Sequence, residues 1–138
     1  MFGFDSDMLF RIPALIAALT IHEYAHARAA VAMGDPTPKF LGRVTLNPIP
    51  HIDPIGLLLL FIAGFGWAKP VEVNHRNFRD GRKGMFVVSL AGAGANIALG
   101  FVAWFLLMLL GELNLIGMVW QKTLWQLYRY NLMFAVFN

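Results

Sequence analysis

The chain contains no cysteine, which excludes disulfides and thiolate metal sites and leaves His, Asp and Glu as the only strong metal ligands. Charge is scarce as well. Only 14% of the residues are Asp, Glu, Lys or Arg, against about 25% in ordinary soluble domains, while 58% are hydrophobic. Residues 84–111 carry no charged side chain at all. That balance points to a bilayer protein. The net charge of +3 is modest, and its Lys and Arg residues gather between apolar runs. Cations so placed suit the cytoplasmic side of a membrane, so nucleic acid is not expected as a partner. There is no low-complexity segment and no internal repeat, and 138 residues suggest one unit over 1–138. A cleavable signal is not expected. Asp5 and Asp7 stand where its basic region belongs, and the apolar run that follows carries His22, Glu23 and His26.

Those three residues form the stretch His22-Glu23-Tyr24-Ala25-His26, an H-E-x-x-H pattern. On a helix of ~3.6 residues per turn, side chains four apart project about 40° apart, so both imidazoles can reach one metal ion. Glu23 projects roughly 100° from His22, beside such an ion and free to hold its water. Two histidine ligands and a glutamate base are the arrangement of zinc peptidases. The apolar setting is that of a membrane helix, in which such a cluster must face protein or a water-filled cavity.

The first helix is expected from about Met8 to Met33, with Asp5, Ser6 or Asp7 as cap or Pro13 marking the first turn. Ala17, Ala18, Ala25, Ala29 and Ala30 permit close packing by neighbours. Gly34-Asp35-Pro36-Thr37-Pro38 stops it. Lys39 to Leu46 alternates loosely and reads as a short strand with a turn at Gly42. All of the seven prolines except Pro13 and Pro70 lie between 36 and 54, so that connector is expected to be rigid and non-helical. His51 and Asp53 in it have ligand chemistry and are read as loop residues first. Ile55 to Phe65 is too short for a straight span and reads as an inserted segment, with Trp67 as an interfacial anchor. Val71 to Asn74 alternates and reads as a brief edge strand, able to pair with an unwound substrate through Val71 and Val73. Residues 84–111 read as a transmembrane helix in which Gly92, Asn96 and Gly100 recur on one face. Asn96 there faces either the site, as a substrate-binding residue, or a partner helix. A further helix starts near Gly117. The expectation is an α-helical multi-pass membrane protein with three main transmembrane helices, a short inserted segment and small β elements. Its first helix has the H-E-x-x-H motif in the cytoplasmic half. The reaction expected is hydrolysis of a peptide bond in a transmembrane substrate.

Four motifs together carry a resemblance. They are His22-Glu23-Tyr24-Ala25-His26-Ala27, Asn47-Pro48-Ile49-Pro50-His51-Ile52-Asp53-Pro54-Ile55-Gly56, Gly66-Trp67-Ala68-Lys69-Pro70-Val71 and Leu90-Ala91-Gly92-Ala93-Gly94-Ala95-Asn96. In this order they resemble the site-2 protease family of intramembrane zinc metalloproteases, in its compact bacterial form. The resemblance implies Zn2+ at His22 and His26, Glu23 as catalytic base, and transmembrane proteins as substrates in the cell (inner) membrane. It also implies substrate assistance from an asparagine that Asn138 looks like, and a third ligand, an aspartate in a Leu-Asp-Gly motif, beyond Asn138. The chain as it stands is expected to bind zinc weakly and cleave poorly. Two competing readings are a homologue that binds membrane helices without hydrolysis and a soluble zinc peptidase. The uncharged 84–111 stretch argues against the second.

Overall fold

A computed structural model describes residues 8–63 and 66–137. Asp5, Ser6 and Asp7, expected to cap the first helix, and Asn138, expected to assist substrate, lie outside the described residues. Five α-helices follow in order: α1 (Met8–Ala32), α2 (Thr37–Phe40), α3 (Pro54–Ala63), α4 (Gly81–Glu112) and α5 (Met118–Phe137). Helices α1, α4 and α5 pack on one another and make up most of the molecule. Lys122 at the start of α5 lies 5.4 Å from the Phe10 ring at the start of α1, and Phe134 near its end lies beside His22. Helices α1 and α5 therefore run in the same direction. Helix α4 runs against both, since Val88 meets His26 while Asn96 meets Ala18.

Local chemistry sets the ends of these helices. Helix α1 stops at Gly34, whose φ of +114° few other residues adopt. The Asp35 N–H returns to the Ala30 carbonyl at 2.9 Å and the Gly34 N–H to Val31 at 3.1 Å, the double bond of a glycine C-cap. Asp53 begins α3 by accepting from the Ile55 and Gly56 N–H groups at 2.9 and 3.3 Å. Asp80 begins α4 by accepting from the Lys83 N–H at 3.2 Å.

Helix α4 turns one narrow face inward. Gly84, Val88, Gly92, Asn96, Gly100 and Ala103 are its buried residues, a period-four stripe. Its other faces leave Phe86, Leu90, Ile97, Phe101, Trp104 and Phe105 exposed. Among the described residues it is the one helix long and apolar enough to cross a membrane.

Two expected strands are absent. Lys39 to Leu46 begins instead inside α2, where Pro36 leads a short helical turn, and continues through turns. Val71 to Asn74 is extended but pairs with no strand, because side chains take its N–H groups. Val71 donates to Glu23 and Asn74 to Asp35. The β pairing among the described residues is a single antiparallel bridge, Ile52 with Ala68.

Candidate metal centre

Helical spacing does for His22 and His26 what the sequence required. Their Nε2 atoms stand 2.9 Å apart. Two nitrogens that share one zinc at ~2.0–2.1 Å can be no more than ~4.2 Å apart, so the pair fits a common ion. The opposite nitrogens are both engaged. His26 Nδ1 donates to the Val88 carbonyl at 2.7 Å, and His22 Nδ1 donates to Asn96 Oδ1 at 2.6 Å. With both Nδ1 atoms carrying hydrogen, both Nε2 atoms are bare acceptors. At 2.9 Å the two Nε2 atoms can share a proton or a metal ion, and Nδ1 bonds of this kind are how neutral metal-binding imidazoles are held.

Helix α4 supplies both Nδ1 partners, and it reaches them because residue 92 is glycine. A Cβ at Gly92 would stand 2.5 Å from both His22 Cε1 and His26 Nε2. His22 is 3% exposed and Asn96 fully buried. Asn96 has no polar atom left for substrate: its oxygen serves His22, and its amide donates to the Ala18 carbonyl and to Asn131 Oδ1 at 2.9 and 2.8 Å. Asn96 thus bonds both to the site, through His22, and to α5, through Asn131. Asn131, which the sequence reading passed over, is the residue that holds it.

Glu23 lines a cavity of about 310 Å³ together with His22, Leu15, Leu19, Trp67 and Phe134. Its Oε2 accepts the Val71 N–H at 3.2 Å, so Val71 reaches the site by its backbone. Val73 packs instead against the Ala30, Phe78 and Val88 cluster. Arg43 fixes the segment that carries Val71. Its guanidinium is buried and donates to the Lys69 and Pro70 carbonyls at 2.6 and 3.1 Å. Burial pushes the Arg43 guanidinium down from its usual value, opposed by the charges of Glu23 and Glu72.

His51 and Asp53 do not join the histidine pair. His51 Nε2 donates to the Thr45 carbonyl at 2.9 Å while its Nδ1 accepts from Arg43 at 3.1 Å. Asp53 caps α3 and accepts the Trp67 indole N–H at 3.0 Å. Among the described residues, no group of three or more His, Asp or Glu side chains comes together as a metal cage.

A helical protein whose paired histidines and adjoining glutamate lie on one helix turn belongs, by its site, to the H-E-x-x-H class. No family model matches the chain, and no solved structure matches it. Two curated relatives do. "Putative zinc metalloprotease YwhC" of Bacillus subtilis (strain 168) is 48% identical over 105 residues, covering 76% of this chain and 48% of that protein. "Putative zinc metalloprotease Rip2" of Mycolicibacterium smegmatis is 34% identical over 89 residues, covering 61% of this chain and 34% of that protein. The chain thus spans about half the length of the first relative and about a third of the second. The two matches point to a site-2 protease-like family.

Proposed function

We propose that the protein to which this chain belongs hydrolyses peptide bonds of transmembrane proteins with a zinc ion held by His22 and His26. The observation that carries this reading is the convergence of two Nε2 atoms at 2.9 Å, beside a glutamate that lines an apolar cavity. Zinc, when bound, polarises a scissile carbonyl and makes water a nucleophile near neutral pH. The chain's own residues do the rest. Glu23 takes a proton from the attacking water and returns it to the leaving amine. The Val71 N–H holds one carboxylate oxygen and leaves the other for that task. Leu15, Leu19 and Phe134 keep bulk water out and offer an apolar surface to substrate side chains. A third ligand is supplied by a group beyond the described residues, and the Leu-Asp-Gly aspartate of the family is our candidate. Asn138 keeps its proposed role beside the scissile bond.

The bilayer setting rests on the length and apolar exposed faces of α4. With α1 and α5 packed along it, we read three spans and α3 as a partly inserted segment. Arg76 and Arg79 of the connector, with Arg82 and Lys83 at the start of α4, support a cytoplasmic side for it and for the site in a multi-pass inner-membrane protein.

The test is zinc content and cleavage of a membrane-anchored substrate by the full-length protein and its Glu23→Gln variant. Zinc should be retained and turnover should fall ~10²–10⁴-fold, the usual contribution of a general base. Equal turnover in the two proteins would remove Glu23 from the chemistry.

A further inference from the structure

The two histidines are oriented by different means. His26 Nδ1 rests on a backbone carbonyl, which no substitution at residue 88 removes. His22 Nδ1 rests on a side chain, and that side chain rests on another. The direction of every proton in this second chain can be read from its far end. The Leu127 carbonyl can only accept, so the Asn131 amide nitrogen, 2.7 Å away, donates to it. Asn131 Oδ1 is therefore the atom turned to Asn96, and it accepts from the Asn96 amide at 2.8 Å. The same amide spends its other hydrogen on the Ala18 carbonyl at 2.9 Å. That leaves Asn96 Oδ1 against His22, and an oxygen there can only accept, so His22 carries its hydrogen on Nδ1. Flipping either amide would set like atoms against each other at two points in a site where both asparagines are fully buried.

The packing agrees with the proton count. Asn96 lies between two glycines on the α4 stripe. Gly92 admits the imidazoles, and Gly100 admits Asn131, whose Cβ would stand 3.3 Å from a Cβ placed there. Three helices thus meet at Asn96 without a large side chain between them.

We propose that Asn131, acting through Asn96, is a positioning residue that holds His22 in its Nδ1–H tautomer and so turns the Nε2 lone pair toward the metal. The proposal rests on the zinc reading for its purpose, although the tautomer itself does not. The hydrogen bonds of Asn131 go to Asn96 and Leu127, and His22 Nδ1 bonds to Asn96. The effect of Asn131 on the site passes through one hydrogen bond.

The test uses the full chain in detergent micelles with ¹⁵N-labelled histidine. Imidazole proton–nitrogen correlations are recorded at about pH 8, where imidazoles of ordinary pKa are neutral. Zinc affinity is measured separately by chelator competition. In the wild type His22 and His26 should both be in the Nδ1–H form. Asn131→Leu should move His22 to a mixture containing the Nε2–H form, leave His26 unchanged, and weaken zinc binding ~10–100-fold, as loss of an outer partner does. Asn131→Ser, which falls short of Asn96, carries the same expectation should the leucine variant not fold. Asn131→Asp should restore the wild-type signals. A buried carboxyl keeps its proton and can then donate to Leu127 while accepting from Asn96. A His22 that stays wholly in the Nδ1–H form in the broken variants would overturn the proposal, and unchanged zinc affinity beside lowered thermal stability would reduce Asn131 to helix packing. A wild type that shows the Nδ1–H form but takes up no zinc would sink the protease reading and leave the relay standing.

Discussion

At the scale of single residues, Gly92 governs how closely α4 approaches the two histidines. Gly92→Ala places a methyl group 2.5 Å from atoms of both histidines, inside any van der Waals contact. Helix α4 must then shift or the imidazoles must turn away. Overpacking of this kind costs about 1–3 kcal/mol, and here the strain falls on the metal site. The variant should fold with a lowered melting temperature and lose zinc almost completely, as read by metal analysis after gel filtration. Gly94→Ala, with nothing within 4 Å of its added methyl, should keep both properties. Zinc retained in Gly92→Ala at the wild-type level would mean that α4 does not close on the histidines as described. The H-E-x-x-H residues were legible because helical period alone brings His22 and His26 together. Asn131 was not. A lone polar residue in α5 acquires meaning only through the register of α5 against α4, which no local pattern encodes.

At the scale of elements, the connector between α1 and α4 is tied down by a buried carboxylate. Asp35 accepts from the Thr37 hydroxyl and N–H at 2.6 and 3.0 Å, from the Asn74 N–H at 2.7 Å and from the Asn77 amide at 3.0 Å. Its burial favours the protonated form, but those hydrogen bonds outweigh it and hold the carboxyl below its ordinary value of 3.8. A depressed folded value means that the ionised form stabilises the fold. That contribution is fully present above the unfolded pKa and is lost as pH falls from there through the folded value. Asp35→Asn should lower the melting temperature near neutral pH and flatten its fall as pH drops below about 4, measured by thermal unfolding in micelles. An unaltered acid limb would acquit Asp35.

The same carboxylate explains why the connector was misread. Val71 to Asn74 alternates as a strand should. A strand also needs a partner for its N–H groups, and Glu23 and Asp35, 48 and 39 residues away, take two of them. Alternation reports which side chains face inward, and here Val73 does face the Ala30 cluster, but it says nothing about what the backbone bonds to. Arg43 shows a related effect. A cation among prolines reads as solvated, whereas carbonyls of Lys69 and Pro70 that have no ladder partner of their own draw it inside. Helices α1, α3, α4 and α5 were legible to within a few residues, since hydropathy and the Gly and Pro boundaries set them locally.

At the scale of the whole molecule, the question is what solvent the outer face of α4 meets. Its 32 residues extend ~48 Å at ~1.5 Å each, more than the ~30 Å hydrocarbon core of a bilayer. Phe101 is 63% exposed on that face. In water, Phe101→Arg should be harmless or improve solubility. In a bilayer it should cost ~2.5–3.5 kcal/mol of insertion free energy and reduce the amount of protein recovered in washed membranes. Recovery of the wild type in the soluble fraction without detergent would decide against the bilayer.

The contacts between α1 and α4 also impose an order in time. Ribosomes make α1 first, and at that moment neither histidine has the partner that determines where its proton sits. Val88 arrives 62 residues after His26, and Asn96 arrives 74 residues after His22. Until then the H-E-x-x-H turn is an ordinary stretch of helix with two undecided imidazoles. The hydrogen bonds that orient the two imidazoles are thus completed only as the later helices dock.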